Sequence, residues 1–164
     1  MSDIILLEGT VHVDSVADFL KKIDLKGCSV TFLDADYVVD REHAEFAARK
    51  ALKSWTEGRN VARTLAMEVL LYAAATRQIS KATEMGLKEG KNRVVVVIIG
   101  DKSCVEELKK RIDFVEEKVL ELTDEKIKRL TEFFEISKDE IEIVGLEKIP
   151  LLVRERISLY DISK

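Results

Sequence analysis

Two cations and an amide near the middle of the chain open a short predicted helix, where they could bind an anion. Thr76 is the expected N-cap of a helix over residues 77–85, and Arg77 and Gln78 lie in its first turn. Acidic residues usually occupy that turn, because its free N–H groups are already partly positive. Lys81 follows Arg77 by one helical turn and lies on the same face. This arrangement indicates binding of a phosphate or a similar anion.

Further residues make nucleic acid the favoured ligand of this candidate site. Arg59 and Asn60 stand at the start of the preceding helix, and Ile79 and Trp55 offer apolar surface for a base. Residues 41–93 carry eleven Lys and Arg against six Asp and Glu, whereas the remainder carries sixteen against twenty-five. A basic region within a chain of net charge −4 favours a local anion-binding site. The alternative is a solvated surface that binds no ligand. The predicted nucleic-acid-binding residues are Arg59, Asn60, Arg63, Arg77, Gln78, Ile79 and Lys81.

Glu68 lies in an apolar stretch of the helix predicted over residues 61–75, where an unpaired carboxylate would be costly. It could be an acid with a perturbed pKa, or it could be satisfied by a buried hydrogen bond or ion pair. The second interpretation is favoured, because no acid–base companion lies near it in the sequence. The candidate partners are Arg63, Arg77 or a backbone N–H.

Support for catalysis is weak. The chain has no glycine-rich phosphate loop, no G-x-S-x-G elbow and no H-E-x-x-H motif. Asp34 and Asp36 follow a strand and could hold a metal, but solvated turn residues are the favoured interpretation. Cys28 and Cys104 lack C-x-x-C spacing and are expected to be reduced core residues, and the two histidines are not at ligand spacing. No catalytic residue, metal site or cofactor is predicted.

Hydrophobic periodicity predicts the elements that must position these residues. The β-branched run 93–99 indicates a strand buried on both faces, and the charged stretch 113–120 indicates a weaker edge strand. Alanines at helical spacing indicate a helix over 40–57 that ends at Gly58. The other predicted elements are strands 4–8 and 29–33 and helices 15–22, 61–75, 77–85, 103–112, 123–134, a short one from 137, and 150–160, with Ser15, Ser103, Thr123 and Ser137 at helix starts.

This order predicts an α/β fold with a small central mixed β-sheet and helices packed on it. The length is that of a single domain, taken as residues 1–164. Hydrophobic residues make up 46% and charged residues 35%, which excludes wholesale disorder. The charge content, with one Pro and seven Gly, is typical of a thermophile. No signal peptide or transmembrane stretch is recognisable, so a cytoplasmic protein is expected, or a nuclear one if the source is eukaryotic.

The central helix pair resembles a known family. Residues 64–71 read Thr-Leu-Ala-Met-Glu-Val-Leu-Leu, and Ile79, Ala82 and Gly86 follow after a polar break. These residues are similar to the T-L-x-x-E-[IV] helix, the I-x-x-A segment and the glycine of the kinase-binding subunit of the KEOPS (EKC) complex, in its archaeal type. Residues 73–75 are all alanine, where relatives are more polar. The resemblance in element order and length covers most of the chain.

The resemblance implies a non-catalytic subunit that binds and supports the small kinase subunit of that complex. It also implies recruitment of tRNA through its single-stranded 3′ end, for threonylcarbamoyladenosine formation next to the anticodon by the catalytic subunit. The catalytic and dimerising subunits would be reached through the complex, and no membrane is involved.

The last helix is the expected kinase contact, because it has more apolar surface than one core-facing stripe requires. The alternative is that Leu152 and Leu159 simply close the core. The predicted partner-binding residues are Leu151, Leu152, Arg154, Ile157 and Tyr160.

A second hypothesis comes from a different functional class. The chain could be a small nucleotide- or metabolite-binding enzyme that uses the crevice after strand 93–99. Turnover of a mononucleotide would support the enzyme, whereas tRNA binding that depends on the 3′ end would support the adaptor.

Overall fold

The computed structural model describes residues 3–164 and contains one four-stranded sheet with helices on both faces. Residues 1 and 2 of the predicted domain lie outside the described part. Every strand pair is antiparallel. The predicted α/β fold is confirmed, with strand directions that are antiparallel throughout and not mixed. The strands are β1 (Asp3–Val13), β2 (Ser29–Asp34), β3 (Gly90–Gly100) and β4 (Val115–Glu116), in the order β2-β3-β1-β4.

The central strand is β3, which is buried on both faces as its sequence predicts. It pairs with β1 along the full length of both strands. Because side chains alternate along a strand, Val94 and every second residue to Ile98 face one core cluster, and the residues between them face the other. Both faces of the sheet must therefore be covered by helices.

Eight helices of the described chain provide this cover. On one face, α1 (Val16–Lys22) and α5 (Lys102–Arg111) pack through Phe19 and Leu108. The other face carries α2 (Arg41–Thr56), α3 (Leu65–Ala74), α4 (Ile79–Ala82), α6 (Asp124–Phe133), α7 (Lys138–Val144) and α8 (Ile149–Ser163). Single 3-10 turns cover Ala35–Tyr37, Thr83–Met85 and Leu146–Lys148. No helix within residues 3–164 is both long and apolar enough to cross a bilayer.

Helix α2 packs on α3 through small side chains, which allow the two helices to lie close together. The alanine stripe of α2 is fully buried, at the spacing that the sequence predicts. Helix α3 is buried from Val69 to Ala74, so the expectation of a helix enclosed by protein is confirmed. It begins only at Leu65, because Thr64 is the N-cap and accepts a hydrogen bond from Met67 N at 3.1 Å. Residues 57–64 form a loop between α2 and α3.

Two expected boundaries are wrong for identifiable reasons. Strand β1 continues through Gly9, which lets β4 approach, because a Cβ there would lie 2.1 Å from the Val115 oxygen. Helix α5 is capped by Asp101 and not by Ser103, since the Asp101 carboxylate accepts from Ser103 N at 3.0 Å. The caps expected at helix starts Ser15, Thr123 and Ser137 are confirmed.

A disulfide joins Cys28 and Cys104, so the expectation of two reduced core thiols is wrong. Cys28 directly precedes β2, whose first residue pairs with Ile99 near the end of β3. Cys104 lies in the first turn of the helix that follows β3. The sheet register therefore brings two residues far apart in sequence to a Cα–Cα distance of 6.0 Å, inside the usual disulfide range.

Reduction of this disulfide should destabilise the protein by about 2–4 kcal/mol, because the cross-link restricts a long loop in the unfolded chain. The measurement is urea unfolding at neutral pH with and without a phosphine reductant. A Cys28→Ala/Cys104→Ala variant is the control, and its unfolding should not respond to the reductant. Reaction of both wild-type thiols with a maleimide in denaturant alone would show that no disulfide exists.

Candidate nucleic-acid interface

A cleft of about 420 Å³ lies where α3 ends and α4 begins, against α6 and α8. It brings together three of the predicted nucleic-acid-binding residues, Arg77, Gln78 and Lys81. Its apolar walls come from Phe133, Phe134, Leu159 and Tyr160. The structure therefore places cations and an amide around one opening, beside a half-exposed Leu159 and aromatic side chains that are almost fully buried.

The chain turn at the end of α3 creates this arrangement. Ala75 has a left-handed conformation with φ of 53°, and its N–H donates to the Tyr72 oxygen. The expected N-cap Thr76 is wrong, since Gln78 is the N-cap and the helix begins at Ile79, but the helical segment does extend through Met85 and end at Gly86. Thr76 Oγ1 accepts from Gln78 N at 3.1 Å, and α4 has four residues with no side-chain cap. So short a helix has little dipole, and anion binding here must depend on the side chains.

The side chains of the cleft differ in how free they are to bind a ligand. Arg77 is exposed and forms no ion pair with any described residue. Lys81 Nζ lies 3.8 Å from Glu135 and 5.1 Å from the Phe133 ring centroid. Arg156 is already engaged, since it donates to both Glu140 carboxylate oxygens at 2.8 and 3.0 Å. Arg77 is thus the cation best placed to bind an incoming anion.

Two environments around the cleft shift pKa values. The Arg156 hydrogen bonds hold the pKa of the Glu140 carboxyl at about 2, with help from the Ser137 N–H. Burial raises the pKa of the Tyr160 hydroxyl to about 12. Glu140 is therefore ionised beside Arg156, and the Tyr160 hydroxyl is protonated, near neutral pH.

The other predicted nucleic-acid residues lie on the loop before α3. Arg59 and Arg63 are exposed, and Asn60 donates its side-chain N–H to the Ala62 oxygen at 2.8 Å. Arg59 also donates to the Asp161 backbone oxygen at 3.1 Å, in the last turns of α8. Tyr160 and Ser163 in those same turns line the cleft. The structure therefore separates the seven predicted residues into two groups beside the end of α8, with Ile79 55% exposed next to the cleft.

Glu68 is fully buried and satisfied by several partners. Its Oε1 accepts from Val61 N at 3.0 Å and Ala62 N at 2.9 Å. Its Oε2 accepts from Ser54 Oγ at 3.0 Å and lies 3.1 Å from Lys164 Nζ. The expected backbone partners are confirmed, but the ion pair is with Lys164 and not with Arg63 or Arg77.

The predicted partner-binding residues separate into core and surface. Leu152, Ile157 and Tyr160 are buried in the core, which corrects the expectation that they face a partner. Leu151 is 50% exposed, and Arg154 pairs with Glu42 at 3.0 Å. Sequence reasoning missed Ile143 and Leu146, exposed at 83% and 52% shortly before Leu151 in the chain.

At the end of β3, where the alternative enzyme would have its site, the backbone packs against the disulfide. A Cβ on Gly100 would lie 2.6 Å from Cys104 Sγ, so the disulfide fills this end of the strand. The Ser103 hydroxyl and N–H both donate to Asp101, which lowers the pKa of that carboxyl. Asp34 pairs with Lys88 at 2.8 Å, and Asp36 lies 3.6 Å from both Arg93 and Arg129. Within residues 3–164 no group of metal-ligating side chains converges.

A family model described as kinase binding protein CGI-121 matches residues 12–159. The chain belongs to this family. The match supports the resemblance to a kinase-binding family that the central helices suggest. A comparison with curated proteins finds no match.

In this CGI-121 family member, a buried histidine fixes the end of α3 that leads into the cleft. His43 of α2 is fully buried, and its Nδ1 accepts from Val39 N at 3.1 Å. Its Nε2 therefore carries the proton and donates to the Ala73 oxygen at 2.9 Å. Burial lowers the pKa of the imidazole to about 4, so His43 is neutral at physiological pH.

This lowered pKa makes stability depend on pH. The unfolded imidazole has a pKa of about 6.5, so the contribution of His43 is fully present above that pH and is lost as the pH falls towards 4. Between pH 7 and pH 5 we expect the free energy of unfolding to fall by about 2 kcal/mol from this group. Urea unfolding at both pH values tests this. His43→Gln should flatten the pH dependence by that amount, and an equal pH dependence in wild type and variant would contradict this role of His43.

Proposed function

We propose that this protein is a non-catalytic subunit of the KEOPS tRNA-modification complex. It binds and supports the small kinase subunit, and it recruits tRNA through the 3′ end for threonylcarbamoyladenosine formation next to the anticodon. Membership in the CGI-121 family supports the kinase contact. The observation that carries the RNA contact is the cleft beside α8, with an unpaired Arg77 at its mouth. The catalytic and dimerising subunits are reached through the complex, which works in the cytoplasm.

The shape of the cleft favours a single-stranded end over a duplex. Its volume of about 420 Å³ is within the range of small-ligand pockets, and so it suits one or two nucleotides. The half-exposed Leu159 suits apolar contact with a base, while Arg77 and Lys81 suit a phosphate. Arg59 and Arg63 on the neighbouring loop extend the positive surface for the nucleotides that precede the end.

The kinase contact is proposed at the start of α8. Ile143, Leu146 and Leu151 form a short exposed apolar segment in the chain, which we call the α7–α8 patch. An exposed group of large apolar side chains is typical of a partner surface. Arg154, two residues after the buried Leu152, is held by an ion pair with Glu42.

The first test is the charge reversal Arg77→Glu, which should weaken tRNA binding at least about tenfold at moderate salt. One lost charge-assisted hydrogen bond is worth about 1.5–3 kcal/mol, and repulsion adds to the loss. The slope of log K against log salt should become shallower by about 0.7, because one phosphate contact disappears. Fluorescence anisotropy with labelled tRNA measures both effects.

The matched control is Lys110→Glu, an equal charge change at an exposed position of α5 on the opposite face of the sheet. It should bind tRNA nearly as wild type does. The wild-type protein should also lose affinity when the unpaired 3′ nucleotides are trimmed. Equal binding by Arg77→Glu and Lys110→Glu would remove the cleft from the proposal.

The second test concerns the kinase contact and uses two adjacent leucines. Leu151→Glu should abolish binding to the kinase subunit, because a buried unpaired carboxylate at an interface is expensive. Its melting temperature should hardly change, since Leu151 is half-exposed in the free protein. Leu152→Glu is the contrast, because that side chain is buried and the change should cost several kcal/mol of stability. Kinase binding that survives Leu151→Glu would place the contact elsewhere.

A further inference from the structure

An ion pair that is almost completely removed from water lies beneath the loop before α3. The Glu68 side chain is 0% exposed and the Lys164 side chain 2% exposed, with 3.1 Å between Oε2 and Nζ. Taking both charges out of water is costly, so such a pair is poor support for stability by itself. Its other hydrogen bonds show what it holds in place.

Both members of the pair bind the main chain of one loop. Glu68 accepts from the Val61 and Ala62 N–H groups, while Lys164 Nζ donates to the Arg59 oxygen at 2.8 Å. Lys164 also donates to Ser54 Oγ and lies 4.9 Å from the Tyr72 ring centroid. The two buried side chains therefore hydrogen-bond to three main-chain atoms within residues 59–62. Ala62 is buried, and its neighbours Val61 and Arg63 are exposed.

Two side chains of the loop also hold it: Asn60 donates to the Ala62 oxygen at 2.8 Å, and Arg59 donates to the Asp161 oxygen at 3.1 Å. Arg59 N donates to the Ser54 oxygen at 2.8 Å, which ends α2, and regular helix resumes only at Leu65. A segment whose backbone forms neither β-sheet nor helix hydrogen bonds samples many conformations, unless other groups hydrogen-bond to its N–H and C=O groups. Between these two points the buried pair satisfies two main-chain N–H groups, of Val61 and Ala62, and the Arg59 oxygen.

We propose that Glu68 and Lys164 are positioning residues for the nucleic-acid interface, and that they fix the loop of residues 59–63 so that Arg59 and Arg63 face the ligand. This rests on the function proposed above. Both side chains are buried, so neither touches RNA. Because Lys164 follows the last turn of α8, whose Tyr160 and Ser163 line the cleft, the pair also sets the loop relative to the cleft.

The decisive test compares two double variants that are both uncharged at this position. In Glu68→Gln/Lys164→Met, the glutamine carbonyl can still accept from the two loop amides. In Glu68→Met/Lys164→Met, a side chain of similar length has no acceptor. The first should bind tRNA within about threefold of wild type, and the second should bind about tenfold more weakly, because the basic side chains are no longer pre-positioned.

Hydrogen–deuterium exchange supplies a readout that does not depend on RNA. Amides 61 and 62 should remain protected in the glutamine variant and exchange rapidly in the methionine variant. Leu108→Ala is the stability control, because it removes a buried side chain from the opposite face of the sheet. It should lower the melting temperature and leave both tRNA affinity and loop protection unchanged.

The outcomes separate this inference from the proposed function. If Arg77→Glu has no effect on tRNA binding, the cleft is removed from the proposed RNA contact, whatever the loop does. If Arg77→Glu weakens binding but the two double variants bind alike, only the positioning role is overturned. The positioning role would also be overturned if both double variants bound tRNA equally weakly while amides 61 and 62 stayed protected in the glutamine variant. That result would mean that the Lys164 charge matters for binding and the loop position does not.

Discussion

The pairing of β3 with β1 is the constraint on which the rest of the structure depends. The two strands pair along their full length, and β3 consists of apolar residues on both faces from Val94 to Ile99. Each such side chain contributes about 1.5–3 kcal/mol only if it is removed from water, so the sheet needs cover on both sides. Helices α1 and α5 cover one face, and that side of the sheet carries few candidate functional residues. The α2–α3 layer covers the other, and both groups of basic residues lie at its ends.

Buried polar groups then fix α3 at both of its ends. Near the first turn, Glu68 binds the loop that carries Arg59 and Arg63. Near the last turn, neutral His43 binds the Ala73 oxygen just before the chain turns into the cleft with Arg77. Each group is costly to bury unless its partners are in place, so each favours one arrangement of the chain over the alternatives. The candidate interface is therefore held by α3 as a rigid element and not by its exposed loops.

Sequence patterns predicted the parts of the fold that depend on local burial. The run 93–99 and the alanine stripe of α2 could be assigned correctly, because the spacing of apolar residues directly reports which faces are covered. Contacts between distant residues could not be assigned. The Cys28–Cys104 disulfide depends on the β2–β3 register, and the partner of Glu68 comes from the far end of the sequence. The helical segment expected over 77–85 begins two residues later, at Ile79, and follows a left-handed Ala75 that ends α3, a conformation that no sequence pattern there indicates.

Helix α8 connects the two surfaces that the proposed function requires. Leu151 lies in its first turn, within the α7–α8 patch, and Ser163 at its last residue lines the cleft. With a rise of about 1.5 Å per residue, the positions are about 18 Å apart along the helix axis. A kinase at the patch and an RNA end in the cleft would then occupy separate ends of one element and would not compete for the same side chains. The buried Leu152, Ile157 and Tyr160 between them hold the helix against the core, which keeps both surfaces in a fixed relation.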